Sequence, residues 1–105
     1  VIVHYDPEEH AIREEALLVW TDEEHLRWYQ EEMHELSVEI DRYLRGELNV
    51  NQLIDEHVHI RMISHQFDTI MARKLGVDTY AQTYNNRYRA EVIRLKDRVL
   101  KKRSR

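Results

Sequence analysis

Two glycines and one proline in 105 residues leave this chain few places to turn, so it must be built from long elements. Charged residues at 34% set against hydrophobic ones at 42% suit amphipathic helices with solvated outer faces. Asp6-Pro7-Glu8-Glu9 reads as a helix start: a capping Asp, Pro at the first helical position, then acids at the positive end of the dipole. A short helix should follow, from Pro7 to about Val19. Thr21 and Glu24 form a capping box, and the helix behind them should run to about Arg45, where Gly46 stops it. Leu26, Tyr29, Met33, Leu36, Ile40 and Tyr43 recur along it at three- and four-residue steps, one apolar stripe. Asn49 or Asn51 caps a third helix with the stripe Leu53, Ile60, Ile63, Phe67, Ile70 and Met71, closed by Gly76. Asp78 or Thr79 opens a fourth, carrying Tyr84, Tyr88, Val92, Leu95 and Val99. The expectation is an all-α fold: one domain over residues 1–105, a helical bundle of one short and three long helices. Residues 1–6 read as an extended arm and 101–105 as a basic tail.

A chain of this size buries only about two-thirds of its unfolded surface, so a lone monomer is modestly stabilised. Wide stripes, with Tyr80, Tyr84 and Tyr88 added, offer more apolar surface than one short bundle covers. A dimer or higher homo-oligomer is therefore expected. Sixteen bases against 20 acids give a net charge of -4, which excludes a polyanion binder over the whole chain. The signs are segregated, however: acid dominates from Asp6 to Glu56, base from Arg87 to Arg105. Basic residues near a helix C-terminus complement its dipole, so a nucleic-acid partner is not expected. The sequence has no cysteine, which excludes disulfides and thiolate chemistry and fits a reducing, cytoplasmic compartment. No apolar run reaches the length of a membrane span and no signal-peptide pattern opens the sequence, so no membrane partner is expected.

On a 3.6-residue wheel, Trp28, Glu32, Glu35 and Glu39 share a face of the second helix beside its apolar stripe. Like charges at that spacing repel by a few tenths of a kcal/mol per pair, which a cation would offset. A plain solvated acidic face is the alternative. Glu56 tips the balance, because it falls inside the third helix's apolar stripe between Leu53, Ile60 and Ile63. A carboxylate there is costly unless it is paired or bound to metal. His59 follows one turn on, and a Glu and His at i, i+3 can grip one ion together with Glu32 and Glu35 from a facing helix. The competing readings are a buried salt bridge to an Arg or His for Glu56 and a hydrogen-bonded core histidine for His59.

Glu31-Glu32-Met33-His34-Glu35 resembles the EExxE motif of the MazG-like nucleoside triphosphate pyrophosphohydrolases. Tyr43-Leu44-Arg45-Gly46 is similar to that family's inter-helix loop, and Glu56-His57-Val58-His59 to its ExxD motif. Asn85-Asn86-Arg87-Tyr88 resembles a segment whose Asn and basic residue contact substrate phosphates. The resemblance covers about Glu24 to Leu100. It implies a divalent ion, Mg or Mn, held by Glu32, Glu35, Glu56 and His59, with Glu31 as the base that takes a proton from water. It implies Asn85 and Arg87 on the phosphates and Trp28 or Tyr29 stacked on the base of a nucleoside triphosphate. Two positions depart from the pattern. His59 stands where the family has Asp, which favours Mn, Fe or Zn over Mg. Thr83 stands where some members carry Lys. A ferritin-like di-iron protein is the rival enzyme, since Glu56-x-x-His59 has that spacing and two subunits could share a site. A non-catalytic nucleotide- or partner-binding module of the same fold is the third reading.

Overall fold

The computed structural model of the chain describes residues 6–104, which form four helices and no strand. These are α1 (Pro7–Val19), α2 (Asp22–Leu44), α3 (Val50–Leu75) and α4 (Val77–Arg103). The all-α expectation, one short helix and three long, matches this. Of the expected arm at residues 1–6, only Asp6 is described, with an extended backbone; residues 1–5 and the final Arg105 lie outside the described residues. Among the described residues, no helix is long and apolar enough to cross a membrane.

Local chemistry sets the helix ends. Asp6 accepts from the backbone N–H groups of Glu8 and Glu9, and Pro7 needs no donor at the first position. Thr21 and Glu24 complete the capping box reciprocally. Glu47 N–H donates to the Arg42 carbonyl and Gly46 N–H to that of Tyr43, the paired bonds of a Schellman motif. That motif needs a left-handed residue, and Gly46 supplies it with φ of +92°. A Cβ at Gly46 would meet nothing within 4 Å, so substitution there tests backbone strain alone. Gly46→Ala should lower stability by about 1 kcal/mol, or about 5 °C in a thermal melt followed by circular dichroism. An unchanged melting temperature would show that the turn relaxes without strain.

One expected start holds and one shifts. Asn49 flanks α3, but its side-chain amide donates to the Glu39 carbonyl at 2.9 Å and to Glu39 Oε2 at 2.7 Å. Asn49 holds the N-cap position of α3, its carbonyl accepting from the Leu53 N–H at 3.0 Å, while its side chain ties the hairpin of α2 and α3 together. The fourth helix begins at Val77, before either Asp78 or Thr79, because Gly76 (φ +88°) both ends α3 and serves as the N-cap of α4.

The chain divides into two compact units, one up to Ile70 and one from Met71. In the first, Glu39 meets Asn49, Glu32 meets His59, Tyr29 meets Phe67 and His25 meets Gln66. Contacts that descend one helix while climbing the other place α2 and α3 antiparallel. The C-terminal end of α1 is fastened to α2 by His25, whose Nε2–H donates to the Ala16 carbonyl at 3.0 Å. Leu17, Ile63 and Ile70 are the buried hydrophobic residues among those described. Met33, Ile40 and Tyr43 of the α2 stripe stay 48%, 42% and 51% exposed. The second unit holds the end of α3 and all of α4, no residue of which is buried. The α3 stripe is thus buried or half-buried throughout, while apolar surface is left uncovered along half of the α2 stripe and all of the α4 stripe.

Candidate metal centre

Antiparallel pairing brings the middle of α2 against the first half of α3, and the acidic face of one meets the Glu-x-x-His turn of the other. One carboxylate oxygen each of Glu32 and Glu56 and one ring nitrogen of His59 lie within 4.8 Å of one another. His59 Nδ1 stands 3.2 Å from Glu32 Oε2 and 3.6 Å from Glu56 Oε2. One turn before Glu32, the Trp28 indole N–H donates to its other oxygen, Oε1, at 3.0 Å. The indole therefore fixes the Glu32 carboxylate so that Oε2 faces α3.

The electrostatics follow from the placement. Burial pushes the Glu56 carboxyl above the usual glutamate range. A hydrogen bond with Glu32 and the negative charges of Glu35 and Glu32 push the same way, and His59 opposes them. Glu56 Oε2 is buried without a hydrogen-bond partner. Among the described residues no Lys or Arg pairs with Glu32 or Glu56, so the salt bridge to an arginine is not what compensates Glu56. Nor is His59 a core histidine, since half of its side chain is exposed. Two carboxylates and an imidazole on two rigid helices suit a divalent cation, and the orphaned oxygen supplies a free lone pair aimed into the cluster.

The other expected site residues are more scattered. Glu35 acts on Glu56 through its charge but is exposed and outside the converging group. Glu39 is diverted from the acidic face, held by Asn49 and by Arg42 at 3.1 Å. Glu31 is exposed and also outside the group. Tyr29 packs edge-on against Phe67 at 5.6 Å. Asn85 and Arg87 are exposed on α4, within the second unit.

Some neighbours went unread in the sequence. Trp20, Glu24, His25 and Trp28 line a pocket of about 340 Å³ on the first unit. His25 is 2% exposed, bound at one nitrogen to Ala16 and within 3.2 Å of the Gln66 amide at the other. The available signal was the pair of tryptophans, eight positions apart, on either side of the α2 start. The chain matches no protein-family model, no curated protein sequence and no solved structure.

Proposed function

We propose that the protein is a metal-dependent nucleoside triphosphate pyrophosphohydrolase of MazG-like type, working as a homo-oligomer. The observation that carries this is the convergence of Glu32, Glu56 and His59 from two helices on one point. The order of motifs along the chain, EExxE, loop, Glu-x-x-His and basic last helix, supports the substrate class. Water adds to a phosphorus of the triphosphate as the anhydride bond between the α and β phosphates breaks, and the products are a nucleoside monophosphate and pyrophosphate. Glu32, Glu56 and His59 would hold the cation, with Glu35 contributing charge at longer range. A divalent ion held there would supply Lewis acidity toward water and phosphate oxygens. Glu31 takes the proton from the attacking water.

Trp28 has two roles in this reading. Its indole N–H orients Glu32, and its ring forms a wall of the pocket shared with Trp20. A flat nucleobase would stack on such a ring. Its stacking would place the triphosphate near Glu32.

Pyrophosphate release across a panel of nucleoside and deoxynucleoside triphosphates, with Mg and with Mn, tests the assignment. Monophosphate and pyrophosphate in equal amounts, with Mn the better metal, is the expected result. Iron oxidation without nucleotide turnover would identify the ferritin-like alternative, and nucleotide binding without turnover in any metal the non-catalytic module.

A further inference from the structure

The charges of this chain are segregated by helix, and so is its uncovered apolar surface. α2 carries eight acids and two bases, a net of -6. α4 carries three acids and eight bases, a net of +5. Both present apolar stripes at three- and four-residue steps. On α2 the positions Leu26, Met33 and Ile40 are seven residues apart, and Met33 and Ile40 are about half exposed. Leu26, Tyr29 and Met33, with Phe67 from α3, line a groove of about 650 Å³ rimmed by Gln30 and the paired Glu23 and Arg27, with the unpaired acids of α2 elsewhere on the helix. On α4 the stripe runs Tyr84, Tyr88, Val92, Leu95 and Val99, exposed by 51%, 62%, 49%, 57% and 42%. The rings of Tyr84 and Tyr88 stack at 6.1 Å, and Tyr80 lies 6.1 Å from Tyr84, a continuous aromatic ridge.

We infer that α4 of one copy docks along the α2 groove of a second copy, and that the exchange is reciprocal. The inference is independent of the catalytic reading. Each helix supplies what the other lacks: a ridge for a groove, and +5 for -6. Steps of three and four residues on both sides are the geometry by which helix ridges enter helix grooves. Tyrosines bring large, rigid contact area and tolerate a polar rim, which suits them to such an interface. Pairing α4 with α4 would bury the same stripe, but it would bring two strongly basic helices together, and like charges in an interface are repulsive. A nucleic acid would satisfy the basic residues and leave the valine and leucine stripe wet. A second copy satisfies both.

Two full-length variants test it: Met33→Asp in the α2 groove and Leu95→Asp on the α4 stripe, both at exposed positions that spare the fold. Circular dichroism checks helicity, and analytical ultracentrifugation reads association. The wild type should sediment at twice the 12.9 kDa chain mass at micromolar concentration, and salt should weaken the dimer. Each variant alone should dissociate at least about tenfold more readily. Mixed, they should form a heterodimer tighter than either homodimer, because an intact α4 then meets an intact groove once per pair. A Met33→Asp protein that dimerises like the wild type while Leu95→Asp does not would overturn the inference in favour of α4 pairing with itself. A monomeric wild type, variants without effect, or a mixture no tighter than its parts would overturn it outright. So would a chain that stays monomeric while its basic helix captures a labelled single-stranded oligonucleotide.

Discussion

Glu56→Gln is expected to weaken divalent-metal binding by about tenfold or more while raising the melting temperature of the metal-free protein. The two effects share one cause. Burial, the hydrogen bond with Glu32 and the charges of Glu35 and Glu32 all disfavour the ionised form of Glu56, and His59 compensates only in part. Gln keeps the size and can still donate to Glu32, as a protonated Glu56 does, yet it never carries the unfavourable charge. The pH dependence has a definite sign. A carboxyl whose pKa is higher folded than unfolded keeps the native state more protonated than the unfolded one across the window between the two values. Stability from this group is therefore fully present below the ordinary glutamate range and is lost as pH rises through the elevated folded value. Melts of the metal-free wild type should fall over that window, and Glu56→Gln should flatten the fall. Added Mn should reverse the wild-type trend, since the ionised carboxylate is the form a cation binds. A lower melting temperature for Glu56→Gln with unchanged Mn affinity by calorimetry would mean that Glu56 is a structural residue.

The same carboxylate marks how far the sequence could be read. Glu56 stood out because periodicity placed a charge among Leu53, Ile60 and Ile63, and period is a property that one sequence carries by itself. The helix ends were legible for a like reason: Asp6-Pro7, the Thr21–Glu24 box and Gly46 act within a few residues of themselves. What failed was whatever depended on distant partners. Glu39 belonged to the acidic face by spacing, but Asn49, ten residues on, takes its carboxylate. Asn49 holds the cap position the sequence marks, but its side-chain amide goes across the hairpin. His25 gave no local signal, because its burial comes from Ala16 on one side and Gln66 on the other. Trp28 was expected to stack on a base, and the bond it makes to the Glu32 carboxylate, one turn on, went unread. Apolar stripes were legible as stripes, but periodicity does not tell whether the covering partner belongs to the same chain.

His59→Asp is expected to move metal preference toward Mg and to raise Mg-supported pyrophosphate release. The imidazole offers one neutral nitrogen, at 3.2 Å from Glu32 and 3.6 Å from Glu56, and a hard cation gains little from it. Aspartate adds a negative charge and two oxygens, which Mg prefers, so Mg affinity should rise by about tenfold. Mn affinity should change less, because the gain in charge is offset by the loss of a nitrogen ligand. The metal-free protein should pay for this. His59 is the group that lowers the pKa of Glu56, and replacing it removes that support and sets a third carboxylate beside Glu32 and Glu56. Its melting temperature should therefore drop without metal and recover past the wild type at saturating Mg. A residue that merely fills space at a half-exposed position would give neither the drop nor the recovery. Calorimetric titration of both proteins with Mg and Mn separates the outcomes, and equal Mg affinity in the two would remove His59 from the ligand set.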